Sequence, residues 1–332
     1  MSIQDVAEAA SVSTATVSRV LNNPSLVSTA TATRVQQAIR ELGYKPNLFA
    51  QGLMTSKSHV LGIALPDIHG EFYSELLRGA DDEAGKLGYH LLVSPVHKPG
   101  HGRREPSLVF GLIDGLALMI SEPNAELLAE AGRSRLPLVL LDADLPEAPF
   151  DTVVVDNASG TTEATEFLVR AVGPGRCFFV GGPPENYDTL QRARFFRQTL
   201  QFHRHTPGEE QLAFGRYAVD WGREWVHRRC AGGPHALRGH AVLAGNDEIA
   251  LGIVQGCFDV GLAVPGDVRV IGFDDTRLAQ LVRPMLSSVR IPLADVGASA
   301  IRMLARRVEQ AEAPPARVRL PTKLVLRESS GT

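Results

Sequence analysis

Residues 3 to 43 hold three short helical patterns in succession, each with its own start signal, and no other stretch constrains the chain as much. Ser2 with Asp5 three residues later has the form of a capping box, and Val6, Ala9 and Ala10 follow at helical spacing. Ser13 is an N-cap residue for a second helix, whose Val17, Val20 and Leu21 line the inner face while Thr14, Ala15, Ser18 and Arg19 point outward. A third helix runs from a Ser28 cap through Val35, Ala38, Ile39 and Leu42 to Gly43, which supplies a left-handed stop. Two short helices joined by a tight turn, the second presenting small polar groups and an arginine, match a helix-turn-helix whose second helix enters the major groove of duplex DNA.

Charge is distributed to suit that reading. The 332-residue chain has a net charge of −3, but residues 1 to 57 hold Arg19, Arg34, Arg40, Lys45 and Lys57 against Asp5, Glu8 and Glu41, so this part is +2 and the remainder −5. Basicity this mild leaves specificity to groove contacts and dimerisation as much as to phosphate attraction. Cys177, Cys230 and Cys257 are widely spaced, which argues against a disulfide or zinc framework and fits a reducing cytoplasm. No apolar run approaches ~20 residues and no signal-peptide core follows the N-terminus, so neither export nor a membrane span is expected.

Residues 46 to 58 begin with Pro46 and continue through Asn47, Ala50, Leu53 and Met54, a stub of about two helical turns that is too short to be stable alone in water. From Val60 on, apolar runs with little alternation, at 60–65, 89–93, 115–120 and 138–141, read as strands covered on both faces, and a helix over 73–87 ends at Gly88. A second set follows at 176–180, 241–244 and 268–273, with a last helix over 296–308 and a strand around 318–326. Two successive sets of strand and helix imply two doubly wound lobes. Ligands of such sheets sit beyond the carboxyl ends of the strands, where this chain places Asp142, Asn246-Asp247 and Asp274-Asp275, with Arg192 near the start of a helix after Gly181-Gly182. Asp247 and Asp275 read as ordinary caps of the following helices.

Asp5-Val6-Ala7, Val12-Ser13, Thr16-Val17-Ser18-Arg19-Val20-Leu21-Asn22, Gly43-Tyr44, Pro46-Asn47, Ala50 and Leu53 together resemble the lactose-repressor/galactose-repressor family of bacterial transcription regulators, a resemblance that continues to about residue 327. It implies an α/β protein in which an all-α helix-turn-helix headpiece precedes a two-lobe, periplasmic-binding-protein-like body with doubly wound parallel sheets. The headpiece would span 1–45 and a hinge helix 46–58. One lobe would take 59–157 plus 290–320, and the other 158–289 plus 321–332. Thr14, Ala15, Thr16, Ser18, Arg19 and Asn22 are then the DNA-reading residues, and Leu53 is a wedge in the minor groove at a central CpG step. In the second lobe the resemblance gives Arg192, Asn246 and Asp274 the task of bonding effector hydroxyls. Asp142 joins them, and Phe72, Tyr73 and Tyr217 form the walls. The chain departs from the family pattern at Ser11, where a turn glycine is usual, at Phe195, where glycine is usual, and at Ala143, where arginine is frequent.

Enzyme motifs are missing: there is no Gly-x-Gly-x-x-Gly after the first strand, no phosphate loop, no Gly-x-Ser-x-Gly elbow and no His-Glu-x-x-His. His97 with His101 and His203 with His205 lack a nearby carboxylate or thiol set, so no metal and no cofactor is expected. The sequence therefore reads as a cytoplasmic, homodimeric regulator that binds a pseudopalindromic operator under the control of a small effector, a sugar or sugar derivative. The competing class is a cytoplasmic carbohydrate-binding protein or degenerate sugar enzyme whose N-terminal helices only mediate association. No leucine heptad follows the last strand, so a dimer rather than a coiled-coil tetramer is expected.

Overall fold

A computed structural model describes residues 1–44, 57–95, 112–119, 136–143 and 150–331. The hinge stub as far as residue 56 with its Leu53, the histidines 97 and 101, and Ile120 lie outside the described residues. The chain divides into two compact units, Met1–His59 and Val60–Thr332.

In the first unit, α1 (Ile3–Ala9), α2 (Thr14–Asn22) and α3 (Thr29–Leu42) each begin at a serine. The Ser2 hydroxyl accepts from the Asp5 amide at 3.3 Å while the Asp5 carboxylate accepts from the Ser2 amide at 2.7 Å. Ser13 and Ser28 accept from Thr16 and Thr31 in the same way. Gly43 ends α3 at φ 59°, a left-handed conformation that glycine adopts without strain. Val6, Ala7, Ala10, Val17, Val20, Val35 and Ala38 interlock into one small core. Ser11 sits in the turn at φ 51°, so a side chain is held where the family's glycine would be relaxed.

The second unit is built on two six-stranded sheets. The first contains β1 (Val60–Leu65), β2 (His90–Pro95), β3 (Gly115–Met119), β4 (Leu138–Leu141) and β5 (Asp151–Val155), with α4 (Glu71–Lys86) between β1 and β2. The chain then enters a second sheet through α5 (Asn157–Val172), β6 (Cys177–Gly181), α6 (Tyr187–Phe202), β7 (Leu212–Phe214), α7 (Val219–Arg229), β8 (His240–Ala244), α8 (Asp247–Asp259), β9 (Val268–Asp274), the single turn α9 (Leu278–Leu281) and β10 (Ser287–Arg290). It returns to the first sheet for α10 (Leu293–Glu309) and β11 (Arg317–Leu320), and ends with β12 (Lys323–Val325) in the second. Among the described residues every strand pairing is parallel except that of β10 with β12. Pairing of this kind requires helices on the faces, and alternate residues serve opposite layers. Phe179, Leu243, Ile271 and Phe273 pack with Ala193 and Phe196 of α6, whereas Phe178, Val242 and Val270 pack with Trp221, Trp225, Ile249 and Ile253 of α7 and α8.

The apolar stretch at 318–326 is two strands rather than one. Pro321 has no amide to give to a ladder, so the chain leaves the first sheet there; the Thr322 hydroxyl donates to the Asp156 carbonyl at 2.9 Å beside the neighbouring crossing. Three connections therefore run between the sheets, a geometry that lets two lobes rotate as rigid bodies. Within the first lobe α4 and α10 touch backbone to backbone: a Cβ on Gly79 would overlap the Ala294 carbonyl, and one on Gly297 the Leu76 carbonyl. Gly297→Ala is expected to force this helix pair apart at a cost of about 1–3 kcal/mol, read as a lower urea midpoint with an unchanged slope. An unchanged midpoint would show that the helices have room.

Candidate functional site

The outward face of α2 carries Thr14, Ala15 and Arg19, all exposed, with Ala15 and Arg19 one turn apart on the same side. Thr16 and Ser18 are half-buried; the Thr16 hydroxyl lies 3.0 Å from that of Ser13, so its first role is to shape the helix start. Asn22 is the last residue of α2, and of it only the backbone is described.

In the second unit, the carboxyl ends of strands from both sheets open onto a cavity of about 440 Å³. Phe72, Tyr73, Asp142, Arg192, Tyr217, Asn246 and Asp274 all line it. Phe72 and Tyr73 come from the first turn of α4, ring centroids 5.1 Å apart and edge to face. Asp142 follows β4 at φ 53°, and Asp274 ends β9 at φ 99°; both are buried. A larger hollow of about 740 Å³ lies over α7 and α8, where the polar pair Arg223 and Asp259 is already bonded to itself.

Arg192 organises the floor of the cavity. It is 2 % exposed, and its Nε donates to Asn157 Oδ1 at 2.8 Å, its Nη1 to the Gly245 carbonyl at 2.6 Å and its Nη2 to Asp188 Oδ2 at 3.1 Å. Asn157 Nδ2 closes the loop on Asp188 Oδ1 at 2.7 Å, and the guanidinium carbon stacks 3.8 Å from the centroid of Phe273. Burial opposes the Arg192 charge most strongly, but Asp188 beside it, together with Tyr217, Asp274 and Asp142, more than restores it. Arg192 is thus first a structural brace, which its position near the helix start did not disclose.

The carboxylates are less well served. Asp274 Oδ1 is buried without a hydrogen-bond partner, and Arg192 Nη1 stands 3.9 Å away, beyond bonding distance. Burial, and then the facing Asp188, drive the Asp142 carboxyl well above the usual carboxylate range, and burial does the same to Asp274 against the pull of Arg192. Burial also raises the Tyr73 and Tyr217 phenols, so both remain neutral; Tyr217 donates to Asn186 Oδ1 at 3.1 Å.

Of the adjacent pair at the start of α8, the residue that caps is Asn246 and not Asp247, and Asn246 also lines the cavity. Asn246 is the N-cap of α8, its Oδ1 accepting from the Ile249 amide at 2.9 Å, and this leaves its NH₂ group outside the cap. Asp247 instead turns inward to accept from the Thr276 amide and hydroxyl and from the Ser288 hydroxyl. Asp275 does not cap either: it is clamped by Arg290 and Arg327, each at 2.6 Å. Phe195 is half-buried under the Arg194 guanidinium and is not among the cavity walls. His203 contacts Glu166, and His205 contacts Gln211. Residues the sequence reading passed over include Asp67, which follows β1 and accepts from the amides of Ile68 and His69, and Asp188, one helical turn before Arg192. The rule of inspecting strand ends would have found the first, and the four-residue spacing to Arg192 the second. Across the mouth of the cleft Glu71 of the first lobe accepts from the Leu278 amide of the second at 2.8 Å.

Comparison with known proteins adds to this geometry. Residues 2–47 match bacterial regulatory proteins, lacI family, and residues 169–330 match a periplasmic binding protein-like domain. Catabolite control protein A of Priestia megaterium is 32% identical over 99% of both chains, and the HTH-type transcriptional regulator DegA of Bacillus subtilis (strain 168) is 29% identical over 99% of this chain and 97% of its own. Among solved structures, the lac repressor dimer bound to operator and the anti-inducer ONPF matches with a TM-score of 0.86 at 25% identity, covering 99% of both chains. The complex of the transcriptional regulator CelR with cellobiose matches at 0.74 and 26% with the same coverage. These relatives are transcription regulators rather than enzymes. Among the described residues no helix is long and apolar enough to cross a membrane.

Proposed function

The chain belongs to the lacI family of bacterial regulatory proteins, and from that premise we propose how this DNA-binding regulator divides its work among its residues. Residues 1–45 read the operator and 46–58 form the hinge. The lobes of 59–157 plus 290–320 and 158–289 plus 321–332 close on a carbohydrate effector. Thr14 and Ala15 offer methyl groups to thymine and Arg19 a bidentate fork to guanine, with Thr16, Ser18 and Asn22 in support and Leu53 as the minor-groove wedge. The protein works as a cytoplasmic homodimer on a pseudopalindromic site and carries out no catalysis. In support, the lac repressor neighbour is an operator-bound dimer.

The observation that carries the effector reading is the Asp274 oxygen, buried in the cleft without a donor. A polyol supplies such donors, and the cellobiose complex of CelR is a carbohydrate precedent. Lobe closure around the ligand would then change operator affinity through differential binding to the open and closed forms. Thermal shift against a panel of sugars, followed by gel shift on a pseudopalindromic duplex with and without each hit, tests the reading. A hit that stabilises the protein and leaves operator affinity unchanged refutes effector control. Arg19→Ala is expected to cost about 1–3 kcal/mol in operator binding and to relax preference at one symmetric position. Uniform weakening over all sequences would instead make Arg19 a phosphate clamp.

A further inference from the structure

The charge of the cleft narrows the class of effector. Asp67, Asp142, Asp188, Asp274, Glu185 and Glu248 all line it, whereas among the described residues the only arginine or lysine doing so is Arg192. That guanidinium is committed to Asn157, Gly245 and Asp188 and is stacked on Phe273, so it cannot swing towards a bound anion without leaving buried acceptors empty. His69 is held at 2.7 Å from Asp67. Asp274, 5 % exposed, has an oxygen that accepts no hydrogen bond and whose nearest cation is Arg192 at 3.9 Å. Among the described residues the cavity therefore offers carboxyl groups in excess of cations and acceptors in excess of donors.

Resting on the reading of this cleft as the effector site, we propose that the effector is a polyol carrying a protonated amine, such as an amino sugar, and that the cleft selects against phosphorylated sugars. An ammonium group brings three donors and no acceptor, which suits an unpartnered carboxylate oxygen; a phosphate brings acceptors alone and sets like charge against the buried carboxylates. The edge-to-face pair Phe72 and Tyr73 provides an apolar wall for the carbon face of a pyranose ring. Burial already holds the carboxyls of Asp142 and Asp274 high, the former facing Asp188 and Arg192 from α6, the latter facing those two together with Asp142 and Asp247 from α8. An ammonium between them relieves this penalty, and a phosphate adds to it.

The test is isothermal titration and thermal shift on the full chain at pH 7.5 and low salt, with several aldohexoses each supplied as the free sugar, the 2-amino sugar and the 6-phosphate. The amine is expected to bind about tenfold tighter than its free sugar, with the phosphate weaker than both. Asp274→Asn should reduce the advantage of the amine to about two- or threefold while leaving a folded protein, since the amide keeps the shape of the carboxylate and removes its charge. A phosphate that binds as tightly as the amine overturns the proposal, as does an advantage that survives unchanged in both Asp274→Asn and Asp142→Asn. A free sugar or phosphate that binds best, and weakens in Asp274→Asn, keeps the cleft as the effector site and removes only the amine. Binding by none of the panel, or equal binding to parent and cleft variants, removes both.

Discussion

Arg192→Ala is expected to destabilise the effector-binding unit by about 3–5 kcal/mol, because it removes one side of a buried ionic network and leaves the other side in place. Asp188 loses its cation, Asn157 Oδ1 and the Gly245 carbonyl lose their donors, and Phe273 loses the plane stacked on it. Arg192→Lys should recover little, since an ammonium on a flexible stem cannot satisfy three acceptors spread around a planar fork. The double variant Arg192→Ala with Asp188→Asn separates the causes: if the stranded charge dominates, removing it returns a large part of the loss, and the two changes are strongly non-additive. Urea unfolding reads all three. A variant as stable as the parent would mean that water fills the gap and that Arg192 is free for the ligand. Under the proposed function the same geometry divides the binding roles: Asp274 has an oxygen without a hydrogen bond, whereas Arg192 holds Asp188, Asn157 and the turn at Gly245 in position.

The parts of the fold that were legible in sequence are those whose environment is uniform along the chain. The strands Val60–Leu65, Leu138–Leu141 and Val268–Asp274 are covered on both faces, so their apolar runs show through, and serine caps announce the three headpiece helices. The strand Asp151–Val155 was hidden by its first residue: Asp151 is 2 % exposed and is held in a two-pronged pair by Arg307, at 2.8 and 2.9 Å, from a helix more than 150 positions later. No local pattern encodes such a partner. Ser287 and Ser288 obscured β10 in the same way, because their hydroxyls are satisfied by distant groups, Arg327 and Ser330 for the first and Asp247 and the Asp275 amide for the second. In the cleft, the strand-end rule found Asp142, Asn246 and Asp274 but could not say which of two adjacent residues would cap the helix and which would turn inward. Asn246 and Asp247 have the same capping chemistry, and only the position of Thr276 and Ser288 decides between them.

That inward turn makes Asp247 a titrating group of the fold. Burial, against the hydrogen bonds from Ser288 and Thr276 and with the nearby Asp275 adding to it, pushes its pKa up from 3.8 to about 7. In the unfolded chain the carboxyl loses its proton near pH 4, whereas in the folded chain it keeps the proton until about pH 7. Between those values the folded state binds more protons, so its stability falls as the pH rises: the contribution is fully present below about pH 4, lost progressively up to about pH 7, and constant above. A separation of this size corresponds to about 4 kcal/mol. Asp142 and Asp274 push in the same direction, so the slope of the parent alone does not isolate Asp247. Its difference from Asp247→Asn does, because the amide keeps an acceptor for the Thr276 amide and never ionises. Urea unfolding from pH 4 to 8 should show the variant gaining on the parent by about 4 kcal/mol across that range, nearly all of it below pH 7.5. Parallel curves would mean that the three hydrogen bonds already hold Asp247 ionised at low pH. The strand it anchors through Ser288 leads directly into the Arg290 to Leu293 crossing between lobes.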